Sequence, residues 1–461
     1  MDVNFSEALK AVGGRTRGHW QEQARIAGVS TDTRHLKEGD LFFALQGPHF
    51  DGHDFIAQAL EKGAAGIVLS RPQAIPEKAS AKTGWIEVSD TLKAYGDLAR
   101  FYRRKFSVPA VAITGSCGKT TVKELTAHLL SARFNVLKNQ GTENNLVGVP
   151  KTLFRLDGSQ DVIVLEMGTN QPGEIDRLAD ILGPQAGMLT QIGHSHLEGL
   201  KSLEGVRREK LSFVPRVEKG GWVLLNGEDP MQKDVSDAAR VIERVGFSKE
   251  TGDFFAEEVR SETNGSSFLW QGKTLFRTPL IGRHNVLNTL FAIAAAMKWG
   301  LTPAEIQSRL NEFKPVAGRL QVRPVEGILF IDDTYNSNPH SFKAALETLA
   351  GFKNKGRKGV LCADMLEMGE EAVSMHRQMG AFIAGLGLDF LVAVGPLSAH
   401  LAEEAKLKGM DPRRIHSAAD SEEAGKWCRK IANEGDAVLV KGSRGMHMEK
   451  VFECFITSST R

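Results

Sequence analysis

The chain has few cysteines and no pairing pattern among them. Its 461 residues contain only four, at Cys117, Cys362, Cys428 and Cys454, and no two have the C-x-x-C spacing of zinc and redox sites. Structural disulfides belong to oxidising compartments. The cysteine pattern therefore argues against a disulfide framework or a zinc site, and it favours reduced thiols in a cytoplasmic protein.

The chain also lacks an excess of charge of either sign and a long apolar run. Its 58 Lys and Arg residues balance 56 Asp and Glu residues, leaving a net charge of +2. This balance predicts no nucleic-acid partner and no attraction to an anionic membrane. Residues 1–5 do not resemble a secretory signal, and Lys298 ends the apolar run at 290–297 far short of a membrane span. We expect a cytoplasmic protein without membrane insertion.

The length and the alternation of apolar segments predict an α/β protein of three domains. A chain of 461 residues exceeds what one hydrophobic core usually organises, and length alone suggests about three domains. Strand-like and helix-like segments alternate throughout. We predict an N-terminal domain at 1–107, a central doubly wound parallel-sheet domain at 108–313, and a smaller Rossmann-like domain at 314–461. The last has no G-x-G-x-x-G turn, so no dinucleotide is predicted there.

Several local patterns predict individual elements. The spacing of Leu92, Tyr95, Leu98 and Tyr102 indicates a helix with one buried face. Basic residues 103–105 end that helix, and we read them as a solvated helix terminus rather than a phosphate contact. We also predict a strand at 188–192, a hairpin that turns at Gly272 and forms an insert, and a final helix at 446–456.

Residues 111–125 have the pattern of a phosphate-binding loop between a strand and a helix. Gly115 and Gly118 allow a tight turn, Lys119 adds a charge at the helix N-terminus, and Thr120 offers a hydroxyl to a metal ion. Ile113 stands where the first glycine of G-x-x-x-x-G-K-[ST] would be, which makes this a shortened variant. A Gly-Lys turn without chemical importance is the alternative. The strand-loop-helix context favours a nucleoside triphosphate with Mg²⁺.

Three segments downstream of this loop are candidates for a magnesium site. Glu166 ends a strand at the carboxyl edge of the predicted sheet, where a cation beside phosphates would find an oxygen ligand. His194 and His196 follow a later strand at the same edge, although loop histidines are often only surface residues. Lys210 lies on a helix, and a free ammonium does not ligate magnesium, so spacing alone indicates a solvated lysine.

Two further segments each contain several polar side chains close together in the sequence. Asn285 and Asn288 are three residues apart, hence on one helix face that could contact an adenine or ribose, although helix capping by His284 or Asn285 explains them equally well. Residues 332–339 place two aspartates, a tyrosine and two asparagines after a strand. A turn built from Asn, Ser and Pro is the alternative there.

Together these segments resemble the Mur ligase family of ATP-dependent amide-forming enzymes. The resemblance runs through the whole chain in the family's order, on the motifs at 114–120, 144–150, Glu166, 196–199, His284, Asn285, Gly318, Arg319, Asp332 and Asp333. Within the family, residues 30–34, 51–53, 332–339 and 441–444 are most similar to the member that adds a dipeptide. The Asp-Asn-Pro-Arg motif of the member that adds diaminopimelate or lysine is absent.

The resemblance implies a reaction and a set of site residues. ATP and Mg²⁺ would be the cofactors, and D-alanyl-D-alanine would be joined to UDP-N-acetylmuramoyl-tripeptide through an acyl phosphate by a monomer whose domains close to exclude water. Lys119, His196, Lys210 and Arg319 would be catalytic, with Lys210 carbamylated. The nucleotide would be held by Thr114, Gly115, Ser116, Cys117, Gly118, Lys119, Thr120, Thr121, Asn285, Asn288, Arg319 and Asp333. The metal ligands would be Thr120, Glu166, His196 and Lys210. The other substrates would contact Ser30, Thr31, Arg34, Asn144, Asn145, Tyr335, Asn336, Asn338, Lys441, Ser443 and Arg444, with the first three in an N-terminal domain that binds the UDP end.

Two alternatives remain at this level. Another ligase of the superfamily would add a single amino acid to a muropeptide or glutamate to folate, and the amine acceptor would distinguish it. A non-enzymatic P-loop module would bind nucleotide without forming an amide. The metal-site and third-domain motifs argue against that second alternative.

Overall fold

The computed structural model describes residues 1–17, 22–48, 50–71 and 83–456. Within these ranges the strands form three sheets of five, nine and six strands. The first sheet has the order β1-β5-β4-β3-β2, and it is parallel except for β1, which is antiparallel to β5. Its strands are β1 Arg15–Arg17, β2 Val29–Ser30, β3 Leu41–Phe43, β4 Gly66–Leu69 and β5 Gly84–Glu87, and the accompanying helices are α1 Phe5–Val12, α2 Ile56–Glu61 and α3 Thr91–Arg103.

The central sheet has the order β14-β13-β12-β11-β10-β9-β6-β8-β7. Its strands are β6 Ala110–Thr114, β7 Val136–Lys138, β8 Val162–Glu166, β9 Ala186–Leu189, β10 Trp222–Asn226, β11 Val241–Gly246, β12 Phe254–Glu262, β13 Gly265–Trp270 and β14 Thr274–Thr278. Strands β6 to β12 pair in parallel, and every residue of β6 and β8 is buried, because helices cover both faces of the sheet. The connection after β6 runs to β7 on one side, and the connection after the adjacent β9 runs to β10 on the other, so the carboxyl ends of β6 and β9 form the topological switch point.

The helices of the central unit surround that sheet. They are α4 Lys119–Leu130, α5 Gly148–Leu153, α6 Glu174–Leu182, α7 Leu197–Leu200, α8 Leu203–Leu211, α9 Arg283–Lys298 and α10 Pro303–Glu312. Helix α9 contains the apolar run noted in the sequence and is buried in the core beside α4. Among the helices that the structure describes, none is both long and apolar enough to cross a membrane.

The third sheet has the order β15-β16-β20-β17-β18-β19 and is parallel except for β15. Its strands are β15 Gln321–Val325, β16 Ile328–Asp333, β17 Lys358–Ala363, β18 Phe390–Val394, β19 Ile415–Ala418 and β20 Ala437–Lys441. The helices are α11 Pro339–Gly351, α12 Ala372–Gly385, α13 Pro396–Leu407, α14 Ser421–Ile431 and α15 Glu453–Ile456. This arrangement confirms the predicted α/β class with a Rossmann-like third unit.

Three predicted elements differ in the structure. The strand expected at 188–192 ends at Leu189, because the following residues turn into the loop beside the phosphate-binding segment. The hairpin at Gly272 is present, but it forms the edge of the central sheet rather than a separate insert. The helix expected at 446–456 is instead two short 3-10 segments followed by α15, since His447 has a φ of 50° that interrupts an α-helix.

The prediction of a solvated basic end of α3 is confirmed for Arg104 and Lys105, which are exposed, but it is wrong for Arg103. Arg103 is only 5% exposed and donates hydrogen bonds to the carbonyl oxygens of Leu182 (3.1 Å), Phe106 (2.7 Å) and Val108. Elsewhere on α3, Arg100 donates to Asp180 of α6 at 3.0 Å. The helix therefore packs against the central unit, and its last turn fixes the segment that leads into β6.

Replacing Arg103 with methionine is expected to lower the free energy of unfolding by about 3 kcal/mol, because buried carbonyl oxygens lose a charged donor. Urea denaturation followed by tryptophan fluorescence measures this loss. Arg104→Met is the matched control, since Arg104 is the exposed neighbour on the same helix end. Equal stability of the two variants would contradict the anchoring role of Arg103.

A polar clasp joins α10 to the C-terminal end of α4. The His128 ring donates from Nε2 to the Arg309 carbonyl oxygen at 2.8 Å, and Arg309 donates to the Ser131 hydroxyl at 2.8 Å and to the His128 carbonyl oxygen at 3.2 Å. The ring of Phe313 meets the His128 ring edge to face at 5.4 Å. Residues 313–318, the linker to the third unit, thus begin at a point fixed to α4.

Candidate functional site

The phosphate-binding loop follows β6 at the switch point of the central sheet. Gly115 and Gly118 have φ values of 146° and 86°, conformations that favour glycine. A Cβ atom on Gly115 would lie 2.1 Å from the Thr190 hydroxyl oxygen, so the close approach of these two loops requires glycine there. Ser116 donates from its hydroxyl to the Gly193 carbonyl oxygen at 2.8 Å, which fixes the loop against the segment after β9.

Helix α4 begins at Lys119, directly behind the two glycines. The Lys119 ammonium donates to the Gly115 carbonyl oxygen at 2.7 Å, so it is folded back over the loop. Burial lowers the pKa of Lys119 from its usual value. Cys117 lies in the same loop, where burial raises the pKa of its thiol to about 11, so it is not an activated nucleophile. The loop can therefore offer backbone N–H groups, a helix N-terminus and a lysine to a phosphate chain.

A cavity of about 350 Å³ opens above this loop, between the central and third units. Most of the residues that the sequence nominated line it, namely Ser116, Cys117, Gly118, Lys119, Thr120, Thr121, Asn144, Asn145, Glu166, His196, Asn285, Asn288, Arg319, Asp333, Tyr335, Asn336, Asn338, Lys441, Ser443 and Arg444. The nominated residues outside its lining are Thr114 at the end of β6, Gly115 at the start of the loop, His194, the buried Lys210, and Ser30, Thr31 and Arg34 of the first unit.

Glu166 ends β8 with its carboxylate directed at the phosphate-binding loop. It is 2% exposed, and its two oxygens accept hydrogen bonds from the Thr120 hydroxyl at 2.9 Å and from the Asn144 amide at 2.8 Å. A hydroxyl and a carboxylate are ligands that Mg²⁺ prefers. Within the described residues, no cluster of three or more His, Cys, Asp and Glu could hold a metal, so an ion here would need ligands of other kinds.

Lys210 lies on α8 and is fully buried, so the solvated-lysine interpretation is wrong. Its ammonium nitrogen has no hydrogen-bond partner among the described residues. Burial, followed by the nearby charge of Lys119, lowers the pKa of Lys210 well below its usual value. Its neighbour Glu209 turns away and accepts hydrogen bonds from the backbone N–H groups of Gly173 and Ile175, at 2.6 and 2.8 Å. A buried, unpartnered amine of this kind is favoured in its neutral form.

His196 precedes α7 and reaches the third unit. Its Nδ1 lies 2.9 Å from a carboxylate oxygen of Glu367, which follows β17. The hydrogen bond from His196 lowers the pKa of Glu367. The other ring nitrogen of His196, Nε2, has no partner among the described residues, and the residue lines the cavity.

Arg319 enters the cavity from the end of the linker. Its guanidinium lies over the Tyr335 ring, 3.8 Å from the ring centre, and donates to the Thr120 hydroxyl at 3.3 Å. Its Nε is buried without a partner in the described part of the chain. The third unit thereby places a fixed positive charge on the first turn of α4.

The loop after β16 is divided between the cavity and local structure. Lys441 is 1% exposed and donates to Asp333 at 2.5 Å and to the Asn336 carbonyl oxygen at 2.9 Å. Asn338 caps α11 by accepting from the Ser341 backbone N–H at 2.8 Å. Both interpretations of this segment therefore apply, since one part forms a turn and a cap while Asp333 and Tyr335 face the cavity.

Helix α9 presents its first turns to the phosphate-binding loop. Its N-cap is Gly282, so capping by His284 or Asn285 does not explain these residues. Asn288 donates to the Asn285 side chain at 2.9 Å, and a Cβ atom on Gly118 would lie 2.5 Å from the Asn288 amide oxygen. Burial lowers the pKa of His284 to about 4, so this cavity-lining imidazole is neutral.

The first unit holds its nominated residues in one turn after β2. The Ser30 hydroxyl donates to the Asp32 carbonyl oxygen at 2.9 Å, and Asp32 pairs with Arg34 at 2.7 Å. The Arg34 side chain is 82% exposed. The turn is therefore available to a ligand at the surface of the first unit, apart from the cavity described above.

The sequence interpretation missed several cavity residues. Gln191, Asn226, His340, Leu366 and Glu367 all line it. Each of these residues ends a strand of a parallel sheet, follows such a strand, or starts the next helix. They therefore lie at the carboxyl edge of a sheet, where ligands bind to parallel sheets. That rule was a usable signal for Glu367 after β17, whereas nothing local marks His340 on α11.

Models of one protein family match most of the chain. The model described as "Mur ligase family, catalytic domain" matches residues 25–103, "Mur ligase middle domain" matches 113–296, and "Mur ligase, glutamate ligase domain" matches 318–444. The chain is 34% identical to UDP-N-acetylmuramoyl-tripeptide–D-alanyl-D-alanine ligase of Escherichia coli (strain K12), with 100% of both chains covered. It is 33% identical to the protein of the same name from Bacillus subtilis (strain 168), with 99% of this chain and 98% of the relative covered.

Solved structures agree with these relatives. MurF from Acinetobacter baumannii superposes with a TM-score of 0.88 at 30% identity, covering 98% of each chain. MurF ligase from Thermotoga maritima in complex with ADP superposes with a TM-score of 0.83 at 28% identity, covering 94% of this chain and 97% of that one. The similarity extends over all three sheets.

Proposed function

Since the chain belongs to the Mur ligase family, we propose that it joins D-alanyl-D-alanine to UDP-N-acetylmuramoyl-tripeptide at the expense of ATP, in peptidoglycan precursor synthesis. Relatives that carry this name match it over their full length. The observation that carries the proposal is the convergence of Lys119, Glu166 and Arg319 on one cavity between two units.

The reaction has two steps that need no protein nucleophile. The terminal carboxylate of the tripeptide attacks the γ-phosphorus of ATP, releasing ADP and forming an acyl phosphate. The amine of D-alanyl-D-alanine then attacks the acyl carbon, phosphate leaves, and the amine loses its proton. The protein contributes by positioning and by stabilising charge on the transferred phosphoryl group, as in other phosphoryl transfers.

Positive charge reaches the phosphoryl group from two directions. We assign Lys119 and the N-terminus of α4 to the phosphates from the central unit, and Arg319 from the third unit. Thr114, Ser116, Cys117 and Thr121 shape the loop, while Asn285, Asn288 and Asp333 are assigned to the nucleoside. These assignments rest on the lining of the cavity and the hydrogen bonds described above.

The residues present fit Mg²⁺. Thr120 and Glu166 already face each other at hydrogen-bond distance, and we assign His196 and Lys210 as the remaining ligands. An unmodified lysine does not ligate a cation, but a buried neutral amine reacts with carbon dioxide to give an anionic carbamate, and the unpartnered Lys210 amine is such a group. When bound, the metal would neutralise charge on the phosphate oxygens.

The other substrates are assigned to residues of all three units. The turn formed by Ser30, Thr31 and the exposed Arg34 would bind the UDP end within a domain at 1–107. Asn144 and Asn145 would contact the muropeptide in the domain at 108–313. In the domain at 314–461, Tyr335, Asn336, Asn338, Lys441, Ser443 and Arg444 would surround the dipeptide. We further propose that the protein acts as a monomer in the cytoplasm, where its nucleotide-linked substrates would be found.

The decisive experiment is phosphate release with ATP, Mg²⁺ and the UDP-muramoyl tripeptide, comparing D-alanyl-D-alanine, single amino acids and no amine. We expect release that depends on the dipeptide, with the matching mass gain on the nucleotide sugar. Turnover with a single amino acid in place of the dipeptide would assign the chain to another reaction of the family. Nucleotide binding without turnover in any mixture would contradict a ligase altogether.

Replacing Tyr335 with leucine is expected to lower kcat about tenfold, because a cation–π contact worth about 1 to 2 kcal/mol holds Arg319 against Thr120. Steady-state kinetics with ATP measures the effect. Tyr335→Phe keeps the ring beneath the guanidinium and should retain most of the activity. Equal losses in the phenylalanine and leucine variants would show that the hydroxyl, rather than the ring, matters.

A further inference from the structure

The loop at residues 364–368, which follows β17, is held at successive positions by different elements. Asp364 accepts hydrogen bonds from the Ser398 N–H at 2.7 Å and the Leu397 N–H at 3.2 Å, at the start of α13. The Met365 N–H donates to His376 Nε2 of α12 at 3.0 Å, and the Leu366 N–H donates to the Ser443 hydroxyl at 2.9 Å. These hydrogen bonds fix the backbone of the three preceding residues, and they therefore fix the point from which the Glu367 side chain extends.

Glu367 contacts the central unit twice. Its carboxylate lies 2.9 Å from His196 Nδ1, and its carbonyl oxygen accepts from the Leu197 N–H at 3.2 Å. Leu197 is the first residue of α7, whose N-cap is His196. One residue of the third unit thus contacts both the ring of His196 and the helix start that carries it.

Both partners have unusual backbone conformations. The φ values of His196 and Glu367 are 53° and 66°, in the left-handed region that non-glycine residues seldom adopt. Such conformations persist where surrounding contacts enforce them, and they are concentrated at functional sites. Here each loop bends so that the two side chains meet across the boundary between the units.

We propose that Glu367 is a positioning residue for His196, supplied by the third unit, which fixes the imidazole so that Nε2 is left free for Mg²⁺. A metal-binding histidine commonly donates its other ring N–H to a carboxylate, which fixes the tautomer and the ring plane and makes the ligating nitrogen more basic. The contact of His196 with Glu367 has this form. The inference rests on the proposed function, because His196 is assigned to the metal there.

The arrangement makes a complete metal site depend on the packing of the two units. Thr120, Glu166 and Lys210 belong to the central unit, whereas the group that orients the fourth ligand arrives with the third unit. Metal bound through His196 and contact between the units therefore favour each other, as linkage requires. The ion that this site would bind is a hard divalent cation that enters together with a nucleoside triphosphate.

The test measures metal binding directly. Mn²⁺, a paramagnetic substitute for Mg²⁺, is titrated into the full-length protein with a non-hydrolysable ATP analogue and the UDP-muramoyl tripeptide, and free Mn²⁺ is followed by electron paramagnetic resonance. Glu367→Leu should weaken the affected Mn²⁺ site about tenfold. Glu367→Gln, whose amide oxygen still accepts the Nδ1 proton, should weaken it less. The backbone contact to Leu197 remains in both variants.

The matched control is Glu370→Gln, an exposed carboxylate three residues further along the same segment. It should bind Mn²⁺ like the unmodified protein. In a His196→Ala background, Glu367→Leu should cause no additional loss, because the two residues act through one interaction. Melting temperatures verify that each variant is folded, and a loss of Mn²⁺ affinity at unchanged melting temperature is the result expected of a positioning residue.

The outcomes separate this inference from the proposed function. Unchanged Mn²⁺ affinity in Glu367→Leu, in a preparation whose unmodified protein ligates D-alanyl-D-alanine, overturns the role of Glu367 alone. An additional loss in the His196→Ala background also overturns it, because Glu367 would then act elsewhere. An unmodified protein with neither turnover nor nucleotide-dependent Mn²⁺ binding overturns the proposed function and this inference with it.

Discussion

Replacing Lys210 with methionine is expected to lower kcat/KM by about 10³-fold, the effect of losing several kcal/mol of charge stabilisation at the phosphoryl group. Methionine fills a similar volume but cannot form a carbamate. The variant should nevertheless be at least as stable as the unmodified protein, because the amine it replaces is buried without a partner in the described structure. Loss of activity without loss of stability is the diagnostic combination.

Two measurements test this expectation. Steady-state kinetics gives the loss of activity, and thermal unfolding gives the stability. Carbon-13 NMR after exchange with labelled bicarbonate should show a protein-bound carbamate in the unmodified chain and none in Lys210→Met. Arg208→Met is the matched control, since Arg208 lies on the same helix but is exposed. Full activity of Lys210→Met would show that Lys210 does not contribute to catalysis.

Replacing Lys119 with alanine is expected to lower kcat by about 10³-fold. A loss of this size is typical when an enzyme loses a cationic group that stabilises phosphoryl transfer. The ammonium is held over the loop by the Gly115 carbonyl oxygen, so its position is set before substrate arrives. Charge shifts on the phosphate oxygens during transfer, and an interaction that strengthens there acts on kcat more than on binding. The loss in kcat should therefore exceed the loss in ATP affinity.

Single-turnover kinetics together with calorimetric binding of the non-hydrolysable analogue separates these two quantities. Lys151→Ala serves as the control, because Lys151 is an exposed lysine on the nearby α5 whose ammonium pairs only with Glu143 among the described residues. A variant at Lys119 that binds ATP poorly yet reaches normal kcat at saturation would show that this lysine contributes to uniform binding only.

The sequence was informative wherever function and local structure follow from one segment. The apolar strands β6 and β8 are buried on both faces, and strands of this kind are visible in a sequence as continuous runs of hydrophobic residues. The glycines and Lys119 stand between a strand and a helix, so their geometry is set locally. The same holds for α10, where the N-cap Thr302 and Pro303 at the first helical position are adjacent in the sequence.

The sequence was uninformative wherever distant segments decide the outcome. Nothing around Arg103 distinguishes a solvated helix end from a buried anchor, because the difference lies in the carbonyl oxygens of Leu182, Phe106 and Val108. Lys210 looked equally ordinary, and only packing around α8 removes it from water. Glu367 meets a residue far away in the sequence. The contact between His196 and Glu367 produces no periodic pattern in the sequence, so the sequence alone does not reveal it.

The clasp between α4 and α10 has a kinetic consequence. His128 and Arg309 fix the start of the linker to the same helix that begins at Lys119. If the third unit moves relative to the central unit, Arg319 would therefore pivot about a point anchored to the nucleotide site. The return of Arg319 to the Thr120 hydroxyl would then be a first-order event, with an effective local concentration set by a short tether and a rate that does not depend on protein concentration.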